Sequence, residues 1–503
     1  MLVQPLLPGD TLHNLGFDES VMMVGAAGKL MDGLGNEKPR EVTVDELKAR
    51  FFVLGTQVGI AVQMFVFSVV IMVLAYDDAT GAIYELSTIY YPLFRGLFMI
   101  CFFFCCYGVN LFVWKRYGID YRAILGVSYA HNYHLMMRAS FMVMSLVFGS
   151  FVLYVLTLRT PRLSSGLDLP SKHIWPATAL VGTLMLVAWP RDLMPEWNDC
   201  AQRGKLFYSL LRILVSPLFP TNFAATFIAD VLTSMPKVFS DLLFTACVYS
   251  NDSWRTVEWD RELGELTHRS RVSQCSNDNP TYAAIYFCTA IAPFWLRLMQ
   301  CCRGFRDTRE RKHLYNALKY CTSITVVTLS LYANSSDSIK SAWYAASIIS
   351  TVYALVWDLK MDWGLPVCSI GHVQSLVFGS SLKHSSMTGH AASHSLKFYN
   401  GNLQKERLYP RHFYTIAAGT NTLARLGWAV YISPGQHVVQ QHVVLLLGCV
   451  ELLRRAQWAA IRLEWEQLNR EVKREASEMA ANDKAVQLWR EHNHEMLKRT
   501  FLF

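Results

Sequence analysis

The stretch Ala342–Gly364, AWYAASIISTVYALVWDLKMDWG, decides the fold. Through Val356 it carries no charge. It then sets Asp358, Lys360 and Asp362 between Trp357 and Trp363. About 20 apolar residues are what a helix needs to cross a hydrocarbon core of roughly 30 Å. An ionisable side chain at such depth costs about 2.5–3.5 kcal/mol on insertion scales unless it finds a partner or water. The stretch therefore reads as a membrane helix whose end carries charge for a reason other than solubility. Asp358 and Asp362, four residues apart, should share one helix face, with Lys360 on another. The two tryptophans read as interface anchors.

The rest of the chain repeats the pattern. Of 503 residues, 52% are hydrophobic and 17% charged. Mean hydropathy is +0.20. Candidate spans fall at 51–75, 91–114, 136–158, 174–190, 222–248, 282–302, 314–333, 342–362, 412–433 and 438–463. The fold class is thus all-α: a polytopic membrane protein with about ten transmembrane helices. The fourth span is short, and LFYSLLRILVSPLF (206–219) reads as an amphipathic interfacial helix. Residues 1–50 lack the apolar core and cleavage site of a signal peptide, so the first span is expected to act as the insertion signal.

Lysine and arginine in short loops set orientation. Lys115, Arg116 and Arg122 follow span 2, and RGFRDTRERK (303–312) follows span 6. Asp77, Asp78 and Glu85 follow span 1 with no base among them. Even-numbered spans should therefore end in the cytosol, with both termini cytosolic. The two sequons, at Asn251 and Asn334, then fall in outward loops. Basic cytosolic loops explain the net charge of +8 without a nucleic-acid partner. The expected organisation is a cytosolic segment at 1–50, peripheral helices at 51–190, a core at 191–470 and a charged helical tail at 471–503. A Ser/His-rich cytosolic loop interrupts the core at 365–411.

No CxxC pair stands among the twelve cysteines. Cys101, Cys105, Cys106, Cys288 and Cys449 read as small packing residues. His372, His384, His390 and His394 lack regular ligand spacing. No metal or cofactor is expected, and no nucleophile–base arrangement points to an enzyme.

Charge at membrane depth concentrates in spans 5 to 10. Asp230, Lys237 and Asp241 lie in span 5, Arg297 in span 6 and Lys319 beside Tyr320 in span 7. Asp358 and Asp362 end span 8, and Arg425 lies near the middle of span 9. Glu451, Arg454, Arg455 and Arg462 lie in span 10. Spans 1–4 hold little beyond Arg95 and Arg138. With the assigned directions, Asp230, Arg297, Lys319, Asp358 and Arg454 share the inner half of the bilayer, where helices could pack around one polar cavity. An Arg-rich, net positive cavity suits an oxyanion, because a guanidinium donates two parallel hydrogen bonds. Other readings stand beside this one. Arg297 and Lys319 could snorkel to the cytosolic boundary. Asp358 and Asp362 could be acids in structural salt bridges. Arg425 and then Arg454 are hardest to explain so. Trp428, one turn beyond Arg425, reads either as packing or as a pore closure.

Four stretches carry a resemblance: PFWLRLMQCCRGFRDTRERKHLYNALKY (293–320), WDLKMDWGL (357–365), RLGWAVYIS (425–433) and ELLRRAQWAAIRLEWEQLN (451–469). Residues 90–121 and 227–250 extend it more weakly. Together they resemble the EXS family of phosphate exporters, over roughly residues 50–470. The resemblance implies conduction of inorganic phosphate through ten spans in a lipid bilayer, with a homodimer formed through the N-terminal helices. It places phosphate at Asp230, Arg297, Lys319, Tyr320, Asp358, Asp362, Arg425, Arg454 and Arg455, with Trp428 as an outer aromatic gate. Thr233 stands where the family often has asparagine, and offers one donor where an amide offers two. About 50 residues precede span 1, too few for the SPX domain of longer members. Inositol pyrophosphate sensing by this chain is therefore not expected. The short form is similar to Golgi-type members, so a Golgi or other endomembrane is favoured over the plasma membrane. A second function class follows from the same likeness: retention of glycosylation enzymes in the Golgi through the tail.

Overall fold

The computed structural model describes residues 44–76, 90–126, 133–159, 174–188, 210–251 except 217, 273–365 except 277 and 334, 407–427, 429 and 437–500. It also describes two short ribbons within 259–266 and 397–404. The chain divides into a unit at Met1–Val53 and a unit at Leu54–Phe503. Apart from the ribbons (β1 Trp259–Asp260 with β2 Glu265–Leu266, β3 Lys397–Tyr399 with β4 Asn402–Gln404), the described elements are helical.

Helix α1 (Val44–Tyr76) is followed by α2 (Tyr91–Arg116), the short α3 (Tyr121–Leu125), α4 (Tyr133–Arg159) and α5 (Ile174–Ala188). Then come α6 (Phe223–Leu232), α7 (Pro236–Ser250), α8 (Pro280–Thr308), α9 (Arg311–Tyr332) and α10 (Asp337–Trp357). A π-helical turn at Asp358–Asp362 extends α10, and α11 (Arg411–Arg425) and α12 (His437–Thr500) complete the chain. Among the described residues, five helices are long and apolar enough to cross a membrane: α1, α2, α4, α8 and α10 with its π turn. The pair α6 and α7 makes a sixth span if its 65° bend is crossed as one.

Local sequence explains the boundaries. Asn222 caps α6 by accepting from the Ala225 amide at 2.8 Å. Pro236, at the first position of α7, has no N–H to continue the preceding helix. The break at Thr233–Met235 follows from it. Asn279 caps α8 in the same way, with Pro280 behind it.

Two expectations are corrected. Span 9 is not one helix over 412–433, because α11 ends at Arg425 with Leu426 as its cap. Arg425 therefore lies at a helix C-terminus, where the dipole favours a cation, and not in mid-helix. Residues 358–362 are not an α-turn: the Trp363 amide bonds the Asp358 carbonyl five residues back at 2.9 Å. Helices α5 and α11 have 15 residues each, about 22 Å, less than a bilayer core.

Among the described residues, packing forms several small apolar clusters and two large ones. One joins α2, α4, α5 and α7 around Leu93, Leu97, Val147 and Tyr154. The other joins α2, α3, α6, α11 and α12 around Trp114, Phe227, Ala417 and Trp458. Helix α2 belongs to both. It is tied to α7 by a buried ion pair, with Arg95 donating to Asp241 at 2.6 and 2.7 Å. It is tied to α12 through Tyr91 and His442 (2.9 Å) and through Asn110, which donates to the Ala456 carbonyl (3.1 Å). The expected peripheral layer is thus anchored into the core through its second helix. A disulfide joins Cys247, at the end of α7, to Cys275. No sequence motif marks it, because its partners lie 28 residues apart.

Candidate functional site in the helical core

The predicted charges converge from six elements. Asp230 sits on the last turn of α6. Its carboxylate accepts from Arg297 Nε of α8 at 2.7 Å and from the Tyr320 hydroxyl of α9. Arg297 also reaches the Tyr320 oxygen at 3.1 Å and Gln300 Oε1 at 2.6 Å. Lys319 Nζ lies over two rings, 4.7 Å from Tyr320 and 5.2 Å from Trp357.

The second part gathers around Asp358, which is 2% exposed. It accepts from Arg425, from Arg454 Nη1 at 3.4 Å and from Asn421 Nδ2 at 3.3 Å. Arg454 is held on its other edge by Glu451, at 2.6 and 2.7 Å. Arg455 bridges the two parts. It donates to Ser234 Oγ at 2.7 Å and to Thr233 Oγ1 at 3.1 Å, across the α6–α7 break, and lies over the Trp458 ring. The Ser234 hydroxyl donates in turn to Glu451 Oε1 at 2.5 Å. Asp362 accepts from Trp458 Nε1 at 3.0 Å and pairs with Arg462 at 3.6 Å.

The charge balance is more even than spacing predicts. Asp230, Asp358, Asp362 and Glu451 each meet an arginine, namely Arg297, Arg425 with Arg454, Arg462, and Arg454. Such pairs offset the cost of burial, and breaking one leaves an uncompensated charge. Among the described residues, Lys319 and Arg455 have no carboxylate within ion-pair distance. They are held by rings and hydroxyls instead. These two cations are available to an oxyanion without displacing a carboxylate.

Several site residues were not singled out by sequence. Glu451 was seen as a charge but not as the partner of Arg454. Asn421, 0% exposed, links Asp358 to Arg454 and carries no charge to betray it. Ser234 lies beside Thr233 and holds both Arg455 and Glu451. The tryptophans are corrected as well. Trp363 is 0% exposed and packs in the core, and Trp357 forms one wall of the Lys319 site. Asp358 and Asp362 have different hydrogen-bond partners: Asp358 takes Arg425, Arg454 and Asn421, and Asp362 takes Trp458 and Arg462. Trp428, the expected gate, lies outside the described residues, as do the loop histidines.

A clasp holds the π turn. Arg407 Nη2 donates to the carbonyls of Trp363 (2.6 Å) and Gly364 (2.9 Å). Glu464, buried on α12, accepts from the Leu408 amide (2.6 Å) and the Tyr414 hydroxyl (2.5 Å). Gly364 has φ +60, and a Cβ there would collide with the Trp465 ring. At the nearby turn between α8 and α9, a hydrogen bond from Lys312 holds the Glu310 carboxyl below its usual range, and burial pushes the His313 imidazole down.

Residues 90–468 match the EXS family model. Solute carrier family 53 member 1 of Homo sapiens is 28% identical over 395 residues, which are 75% of this chain and 50% of that protein. Phosphate transporter PHO1 homolog 4 of Arabidopsis thaliana is 25% identical over 393 residues, 75% and 45% respectively. Xenotropic and polytropic retrovirus receptor 1 homolog of Danio rerio is 28% identical over 433 residues, 82% and 54%. The chain spans about half the length of these curated relatives. The family match covers the whole buried charge cluster, from Asp230 to Arg462, and the chain belongs to the EXS family.

Proposed function

We propose that this chain conducts inorganic phosphate across a membrane, through a pathway at the junction of α6–α7, α8, α9, the π turn, α11 and α12. The observation that carries this reading is the pair Lys319 and Arg455. Both lie in the helical core, and among the described residues neither has a carboxylate at ion-pair distance. A phosphate oxygen would replace the hydroxyls of Thr233 and Ser234 on the Arg455 guanidinium, while the Lys319 ammonium faces a second oxygen. Arg297, Arg425 and Arg454 are held in place and neutralised by Asp230, Asp358 and Glu451, so the surplus positive charge of the site rests on Lys319 and Arg455. The printed name of the Arabidopsis relative, a phosphate transporter, supports the ion's identity.

The topology that fits has ten spans with both termini cytosolic. The Cys247–Cys275 disulfide supports an outward α7 end, because disulfides persist in oxidising compartments. A homodimer through α1 fits its exposed apolar surface, including Phe52, Val62 and Val73, and the open space around Gly55 and Gly59. An endomembrane such as the Golgi is the favoured location. The test is radiolabelled phosphate flux into proteoliposomes at two pH gradients. Wild type should pass phosphate, and Arg455→Gln and Lys319→Gln should not. Equal flux from wild type and both variants would sink the assignment.

A further inference from the structure

A buried donor on α8 is left over. Gln300 is 2% exposed and stands one turn beyond Arg297 on the same helix. Its Oε1 accepts from Arg297 Nη1 at 2.6 Å. A guanidinium can only donate, so this bond fixes the orientation of the amide and turns its NH2 away from Arg297. Among the described residues, Nε2 is buried and meets no hydrogen-bond partner. A buried donor left unpaired is costly, and an acceptor brought to it removes the cost.

Helix α9 supplies the complement. Gly304 packs so closely on His313 that a Cβ there would collide with the ring, and Arg297 reaches Tyr320 at 3.1 Å. Both contacts fit one antiparallel register of α8 on α9, which sets Gln300 level with Asn316 and Ala317. Asn316 Oδ1 is also buried and without a hydrogen-bond partner. The two amides do not bond each other. An unpaired donor and an unpaired acceptor thus stand on facing helices, beside Arg297 and one turn from Lys319.

That combination suits one class of anion. Protonated phosphate offers oxygens that accept and a P–OH that donates, whereas sulfate at neutral pH only accepts. A buried acceptor facing a sulfate oxygen stays unpaired, and such mismatches discriminate strongly. Neither amide is charged, so no carboxylate has to be displaced. We propose that Gln300 and Asn316 form a selectivity site for protonated phosphate, one turn inward of the Lys319 and Arg455 pair. This rests on the phosphate-pathway reading. In that topology α8 ends in the cytosol, so phosphate coming from the cytosol meets the two amides before it reaches Lys319 and Arg455.

The test is radiolabelled phosphate flux through the full chain in proteoliposomes, with sulfate as competitor, beside equilibrium binding of phosphate to the purified chain. Gln300→Met should raise the phosphate concentration for half-maximal flux on the order of tenfold. Gln300→Glu keeps an acceptor for Arg297 and loses both donors. It should fold and weaken phosphate at least as much. Asn316→Leu should let sulfate compete on the order of tenfold better relative to phosphate, a ratio that a purely structural role would not move. Unchanged phosphate dependence in both Gln300 variants, or an unchanged sulfate ratio in Asn316→Leu, overturns the selectivity site. Wild-type flux that Arg455→Gln abolishes leaves the pathway intact in that case. Absent wild-type flux overturns the pathway. Binding then decides the amides alone: weaker phosphate binding in Gln300→Glu supports an anion site between α8 and α9, and unchanged binding removes it.

Discussion

The two buried charge clusters are closed in different ways. Arg95 and Asp241 form a two-point pair between α2 and α7, one guanidinium edge on both carboxylate oxygens and almost wholly out of solvent, with Lys237 on the same carboxylate. The larger cluster shares its carboxylates. Asp358 serves two arginines and an asparagine, and Glu451 serves an arginine and a serine. Lys319 and Arg455 are left to rings and hydroxyls. A two-point pair is a fastening between helices. A cluster with cations left over is a place where an anion can come and go. Burial alone does not tell the two apart; the partner of each charge does.

The sharpest break of that comparison is at the fastening. Asp241→Ala leaves Arg95 buried without its carboxylate and should cost about 3–5 kcal/mol of stability. Thermal unfolding in detergent should show it. Replacing both partners with apolar residues, Arg95→Met with Asp241→Leu, should recover most of the loss. At the open cluster the opposite is expected. Arg455→Gln should lower phosphate flux on the order of a hundredfold, about 2.7 kcal/mol in barrier terms. Its unfolding temperature should stay near wild type, because no carboxylate is abandoned. A large unfolding shift in Arg455→Gln would make that residue a fastening as well.

Gly364→Ala tests whether the clasp positions the π turn. Its left-handed backbone costs a residue with Cβ about 1–2 kcal/mol, before any contact with Trp465. The variant should lose both stability and flux. Tyr320→Phe is the mildest change. It removes a hydroxyl shared by Asp230 and Arg297 and should cost about 1 kcal/mol, with flux reduced but measurable.

Much of the fold was legible because hydropathy runs along the chain. Helices α1, α2, α4, α8 and α10 fall on spans expected from apolar length, whereas the fifth span, expected in one piece over 222–248, is broken before Pro236. The long apolar reading of 412–433 failed because hydropathy does not register where a helix stops. Arg425 looked central for that reason alone. The candidate site was legible wherever a residue carried charge at depth, as with Asp230, Arg297, Lys319, Asp358 and Arg454. It was not legible for Asn421 or Ser234, whose importance comes only from what they touch. Tryptophan was misread for a related reason. Its amphipathic ring suits an interface or a core equally, and Trp363 took the core.

The amino-acid sequence by itself determined the class of molecule and the positions of its buried charges. Transfer of apolar length and of ionised groups into a bilayer depends on composition within a single segment. Only the tertiary structure decided which charges cancel. Pairing requires two helix faces to meet within a few ångströms, and the segments that meet are distant in sequence, as Asp358 and Arg454 are. That geometry assigned Glu451 to Arg454, gave Asp358 and Asp362 different arginines, and left Lys319 and Arg455, within this cluster and among the described residues, without a carboxylate at ion-pair distance.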